Sequence, residues 1–248
     1  MPRYANPSPF SRQPKKGNDI YVPPNPFSAL MKSLFLDEET ADLLLEVGEG
    51  EEKCQYFAHY IILKQCAPDL ASLCYGCDKS EPLHLPDVDH EVFLELLRYV
   101  YGKKVAEDKW KGRHQDFIDA ADKYGVVHLK LMAEARYVKE DKINVDNVVD
   151  KLLYADSKNC ALLKEQAILF IMNNAKVVLN SESFKSFPKS ESIIKEIFTI
   201  AGIVAQPPAL QEAEYMVDWL RKQLSEEGLD VDGSREVLIA RLEDGGDE

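Results

Sequence analysis

Cys74 and Cys77 stand in a Cys-x-x-Cys spacing, with His84 and His90 close behind. Thiolate and imidazole groups at short spacing are the donors a tetrahedral zinc site uses. The same dithiol could act in redox exchange if it sat at an electropositive helix start. One Cys-x-x-Cys without a second pair is too little for the first chemistry, and the sequence shows no such helix start for the second. There is also no Gly-rich phosphate loop, no His-Glu-x-x-His and no Gly-x-Ser-x-Gly. His84, His90, His114 and His128 have no mutual spacing that suggests catalysis. No catalytic residue, metal ligand or cofactor is assigned, and the expectation is a chain that binds and does not catalyse.

The bulk properties agree with that class. With 45% hydrophobic and 9% aromatic residues over 248 positions, the chain can build a sizeable core in one large or two small domains. Its formal net charge of -13 opposes general affinity for nucleic acid or anionic membrane. No run approaches the roughly 18 apolar residues of a membrane span, and the opening residues lack an apolar signal core. The expected location is the nucleus, the cytoplasm or both, with no membrane partner. The five cysteines, Cys54, Cys66, Cys74, Cys77 and Cys160, are odd in number and without framework spacing, so reduced thiols are expected.

The elements that must position any binding group follow from periodicity. Residues 1–26 hold seven of the thirteen prolines among Arg3, Arg12, Lys15 and Lys16, and read as a disordered tail. Phe27, Leu30, Met31, Leu34 and Phe35 then fall on one stripe of a short helix. The apolar run 41–47, the turn residues Gly48 and Gly50, and Tyr56-Phe57 leading into Ala58-His59 predict a hairpin feeding a helix. Leu85-Pro86-Asp87-Val88 predicts a short strand before a helix over 89–101, with Val92, Phe93, Leu96, Leu97, Val100 and Tyr101 inward. Residues 103–112 are polar and read as a loop despite Trp110. Helices over 115–123 and 127–136 follow, the first closed by Gly125 as a C-cap, and a first domain ends near Tyr137.

After a polar run at 139–142, helices are expected over 145–155, 161–174 and 192–204, with a turn at 177–179. Leu152, Leu153, Leu162, Leu163, Ile168, Phe170 and Ile171 form their core. Gln206-Pro207-Pro208 breaks the chain. Met216, Val217, Leu220 and Leu224 then make one helical face, Gly228 ends it, and Ser234 can N-cap a second helix carrying Leu238, Ile239 and Leu242.

Ala41-Asp42-Leu43 with Phe57-Ala58-His59, then Ile62-Leu63, Leu85-Pro86-Asp87-Val88, Phe93 and Tyr101-Gly102, resembles a BTB/POZ domain in order and spacing. Residues 120–134, AADKYGVVHLKLMAE, are similar to its closing helices in the speckle-type POZ subfamily. The resemblance implies an α+β fold, a small sheet flanked by helices, over residues 27–137. Residues 173–187 resemble the end of the BACK-type helical extension of such adaptors, placed here at 138–205. Residues 220–242, LRKQLSEEGLDVDGSREVLIARL, resemble a SAP motif, a helix-loop-helix unit. Its pattern is matched by Leu220, Leu224, Gly228, Leu229, Gly233, Arg235, Leu238, Arg241 and Leu242, within a C-terminal module at 209–248 that ends in an acidic tail.

The resemblance also implies partners. The first helix would cross a two-fold axis, making a homodimer with Phe27, Leu30, Met31, Leu34 and Phe35 in the interface. Domains of this subfamily dock a cullin and so bring a protein substrate to a ubiquitin ligase; the candidate contacts are Tyr75, Glu81 and Tyr124. The family's loop carries an apolar residue two before its glutamate, where this chain has Lys79, so Tyr75 becomes the anchor. Tyr60 stands where related transcription-factor domains have a basic residue, and one extra residue in 66–70 implies a local bulge. His59 is expected to be structural. In the SAP-like unit, Arg221, Lys222, Ser234, Arg235 and Arg241 are candidates for phosphate contacts. Twelve acidic against four basic side chains in 209–248 work against DNA. The leading expectation is a homodimeric cullin adaptor; the alternative is a chromatin-associated scaffold whose dimer pairs two SAP-like units.

Overall fold

A computed structural model describes residues 27–50, 53–185, 187, 191–204 and 216–245. The Pro-rich tail, the Gln206-Pro207-Pro208 break and the last acidic residues lie outside the described residues.

The chain opens on α1 (Phe27–Ser33) and then forms β1 (Leu43–Val47) and β2 (Cys54–Ala58). These two strands pair antiparallel, Leu43 opposite Ala58 and Val47 opposite Cys54. In β1, Leu43, Leu45 and Val47 point inward while the residues between them stay half exposed, the period-2 signature of a sheet with one buried face. After α2 (Tyr60–Cys66) and α3 (Pro68–Leu73), β3 (Leu83–Leu85) joins the far side of β1 in parallel, giving the order β2-β1-β3. In place of the bulge expected within 66–70, the chain breaks between two helices: Ala67, with a fully buried methyl, separates α2 from α3, and Pro68 starts the next helix.

Then come α4 (His90–Val100), α5 (Glu107–Trp110), α6 (His114–Tyr124) and α7 (Val127–Glu140). Asp89 caps α4 by accepting from the Glu91 and Val92 amides, and all six residues assigned inward on this helix are buried. Gly125 ends α6 in the left-handed region at φ 72°, where an added Cβ would meet Asp69 Oδ2 at 2.7 Å. The 103–112 segment departs from the expected loop. It contains α5, and Trp110 is 1% exposed with its ring 4.6 Å from that of Phe117. Apolar anchoring of one indole outweighs the polarity of its neighbours, because burying so large a ring stabilises by about 2–3 kcal/mol.

The remaining helices are α8 (Val148–Ser157), α9 (Ala161–Asn173), α10 (Ala175–Val178), α11 (Glu182–Lys185), α12 (Glu191–Val204), α13 (Val217–Glu226) and α14 (Arg235–Gly245). Asn144 and Asn147 open this set by capping each other's backbone amides. Three apolar clusters result, and α9 belongs to all of them. Leu163 joins the core of the sheet domain, Ala167, Ile168 and Ile171 pack with α8 and α12, and Ala161 and Leu162 pack with α13 and α14. The assignment of Leu162 and Leu163 to a core private to the extension therefore changes. A helix buried nearly all round serves three neighbours at once.

Candidate interaction surfaces

Three surfaces carry the residues singled out by sequence. The first is the turn after α3. Its geometry begins with Cys74, which ends the helix in the core at 1% exposure, where burial pushes the thiol up to about 12. Cys77 is half buried, and His84 instead faces Glu46 at 3.3 Å. Among the described residues no group of three or more His, Cys, Asp or Glu side chains could hold a metal ion. With Cys74 inward, Tyr75 is thrown outward and is 85% exposed. Asp78 then folds the turn by accepting from the Ser80 and Glu81 amides at 2.6 and 3.0 Å. The Ser80 hydroxyl, donating to the same carboxylate at 2.6 Å, and those amides hold the Asp78 carboxyl below its ordinary range. Lys79 donates to the Glu38 carbonyl at 2.9 Å, so it pins the turn to the segment after α1. Glu81 is exposed.

Tyr124 is not on this surface. It is fully buried against Phe93, ring centroids 5.6 Å apart, and burial raises its hydroxyl to about 12. The reason is its place at the end of α6, on the same face as Phe117 and Ala121.

The second surface is α1. Phe27 is 63% and Leu30 60% exposed, whereas Met31, Leu34 and Phe35 lean on the domain core. The stripe is divided because the helix ends at Ser33 and the chain turns through Leu36 at φ 59°. Phe35 meets Tyr101 edge-on at 5.8 Å, and Lys103 Nζ lies 4.9 Å over its ring. Beside it runs a chain of hydrogen bonds. Thr40 Oγ1 donates to Asp37 at 2.6 Å, so His59 Nε2, 2.9 Å away, is the donor to Thr40. His59 Nδ1 then accepts from the Tyr101 hydroxyl at 2.8 Å, and that oxygen accepts the His59 amide at 2.9 Å. His59 thus fastens the segment after α1 to α4.

The third surface is the C-terminal helix pair. Ser234 Oγ accepts from the Val237 amide at 3.5 Å, at the start of α14, and Gly233 stands at φ 132° with a Cβ position only 3.0 Å from Val237. The basic side chains turn mostly inward. Arg221 is paired at 2.8 Å with Glu134 of α7, which is 1% exposed and also accepts the Leu163 amide at 3.0 Å. Arg235 is 2% exposed, and its charge acts on Glu165 and Glu196. Arg241 bonds the Asp230 and Asp232 carbonyls and the Asp230 carboxylate. Lys222 alone of these four is well exposed, 70% at its side chain. Lys130 of α7 answers from the other side, reaching Asp122 at 2.8 Å and Asp232 at 3.0 Å. Glu165 accepts the Val217 amide at 3.2 Å, and burial lifts its carboxyl to about 7. These arginines are spent on the protein's own acids.

Sequence reasoning missed the acids that receive them. A signal was present: Leu129, Lys130, Ala133, Glu134 and Tyr137 fall on one face of α7, so two charges sit in an apolar stripe. Charges so placed need partners.

Compared with known proteins, residues 31–141 match the family model for the BTB/POZ domain. Residues 31–141 are a BTB/POZ domain. Around it, the chain is 27% identical to the BTB/POZ and MATH domain-containing protein 4 of Arabidopsis thaliana, over 67% of this chain and 38% of that protein. It is 32% identical to TD and POZ domain-containing protein 5 of Mus musculus, over 42% of this chain and 30% of that protein. With TD and POZ domain-containing protein 3 of Mus musculus the identity is 29%, over 58% and 40%. The chain spans less than half the length of these curated relatives. The BTB/POZ match covers the sheet and α4 to α7, so the Tyr75 turn and the His59 hydrogen bonds lie inside it and the C-terminal pair lies outside. Among the described residues no helix is long and apolar enough to cross a membrane.

Proposed function

We propose that the chain is a protein-interaction adaptor whose BTB/POZ domain pairs through α1 and presents the turn around Tyr75 to a cullin scaffold, so that a bound target protein reaches a ubiquitin ligase. BTB/POZ domains mediate protein–protein contacts and dimerisation, which supports the general reading. The observation that carries the particular one is Tyr75, 85% exposed on a turn tied down by Asp78 and Lys79. A large aromatic held outward on a rigid support loses little entropy on binding and can fill a partner's pocket. Glu81 stands exposed on the same turn. Tyr124 supports the contact only from within, by packing α6.

For pairing, Phe27 and Leu30 supply the outward face. Two side chains cover far less than the roughly 800 Å² per partner of a stable interface, so the dimer draws in further surface beside α1. The test is co-elution of the full chain with the amino-terminal domain of a cullin. The wild-type proteins should travel together at micromolar concentration and Tyr75→Ala should separate them; wild-type proteins that never co-elute defeat the proposal. The DNA-scaffold alternative has less support, since Arg221, Arg235 and Arg241 already face internal acceptors.

A further inference from the structure

The cavities in the BTB/POZ domain differ in charge. One beside α6 is lined by Asp87, Asp89, Asp116 and Asp119 together with Arg113 and Lys123, and one beside Tyr75 carries Asp42 and Asp78 with no cation. A third, of about 550 Å³, lies between the end of α4, the segment after it, α5 and α7, and it is lined by Lys103, Lys104 and Arg136 against Glu107 alone. In a chain of net charge -13 this is a local reversal of sign.

Its floor is apolar. Val100, Val105 and Trp110 are buried beneath it, and Met132 contributes a flexible thioether that is 39% exposed. Its wall is fixed: the Arg136 guanidinium lies 4.9 Å over Trp110 and is held by Glu107 at 2.8 Å and Glu140 at 3.2 Å. Among the described residues neither Lys103 nor Lys104 has a carboxylate partner; Lys103 is half buried with its Nζ over the Phe35 ring, and Lys104 is exposed. At physiological salt charges are screened over about 8 Å, so a ligand here answers to these cations and not to the distant acids.

We infer that this groove docks an acidic protein segment bearing a bulky apolar anchor. The anchor enters between Met132 and the Val100–Val105 floor, and the flanking carboxylates meet Lys103 and Lys104. The site is separate from the Tyr75 turn and does not rest on the cullin reading. An apolar ligand without charge would leave Lys104 unanswered and Lys103 with only the Phe35 ring, and a basic one would be repelled.

The test is fluorescence anisotropy of a labelled synthetic peptide, two phenylalanines flanked by aspartates, titrated with the full chain. Saturable binding is expected, weakened about tenfold or more by the double variant Lys103→Glu, Lys104→Glu, which loses two rim charge contacts and gains repulsion. Met132→Glu should weaken it likewise, while Lys176→Glu, the same kind of charge change on exposed α10, should leave it intact. Equal binding of a lysine-flanked peptide, equal binding of an all-aspartate peptide lacking phenylalanine, indifference to the groove variants, or no saturation would each overturn the inference.

Discussion

Glu134→Ala is the most informative single change in this chain. The carboxylate is 1% exposed and serves two elements at once: Oε1 accepts the Leu163 amide at 3.0 Å and Oε2 pairs with Arg221 at 2.8 Å. Truncation leaves the Arg221 guanidinium, 12% exposed at its side chain, without its carboxylate, and leaves a buried amide unpaired at the start of α9. Breaking a buried pair from one side costs about 3–5 kcal/mol. An orphaned buried amide adds about 1–3 kcal/mol, less whatever relaxation recovers. Glu134→Gln keeps the amide bond and should lose only the charge part. Because desolvation offsets much of a buried ion pair's attraction, the double variant Glu134→Gln, Arg221→Met should cost much less than the sum of its singles. The assays are the urea midpoint and hydrogen exchange of α13. The alanine variant should lower the midpoint and expose the α13 amides while those of α4 stay protected. A loss under about 1 kcal/mol, or additivity in the cycle, refutes the claim that this pair docks the C-terminal helices.

Other outcomes follow from single sites. Burial lifts Glu165 to about 7, above its ordinary 4.5, so its contribution to docking of α13 is full below pH 4.5 and is lost as pH rises through 7; the protection factor of the Val217 amide, that is its exchange relative to the intrinsic base-catalysed rate, should fall from pH 5 to about 7 and then level off, and Glu165→Gln should flatten that dependence. Gly125→Ala forces a left-handed residue against Asp69 and should lower stability by about 1–2 kcal/mol, read by thermal melting, where no change would remove the C-cap argument. Trp110→Ala should cost about 3–5 kcal/mol in the same melt, since a core ring and its contact with Phe117 are lost; a value near zero would return 103–112 to a loop. Leu30→Glu should lower the solution mass of the wild-type assembly without lowering the melting temperature of the protomer, and an unchanged mass would take α1 out of the interface.

The fold was legible where one physical signal dominates. The apolar run that becomes β1, the helix placed over 89–101 and the Gly125 C-cap are local chemistry, and they appear within a residue or two of where the sequence puts them. Trp110 was misread because loop polarity is a sum over neighbours, while burial is decided by one ring. Tyr124 was named for a surface because its position matches a family contact, yet the face of α6 it shares with Phe117 and Ala121 sends it inward. Of the surfaces, Tyr75 follows from Cys74 facing the core in a tight turn. Lys79 is different. Its bond to Glu38 spans segments far apart in sequence, and no local rule predicts it. The same holds for the arginines of the C-terminal pair: their types and spacing were plain, but their partners on α7 and α9 depend on tertiary contact.

The most direct test of the adaptor claim is light scattering on the full chain during size exclusion, alone and with a cullin amino-terminal domain. The account predicts twice the chain mass alone, a larger complex with the cullin, and loss of that complex but not of the dimer in Tyr75→Ala. A monomer that elutes apart from the cullin would contradict it.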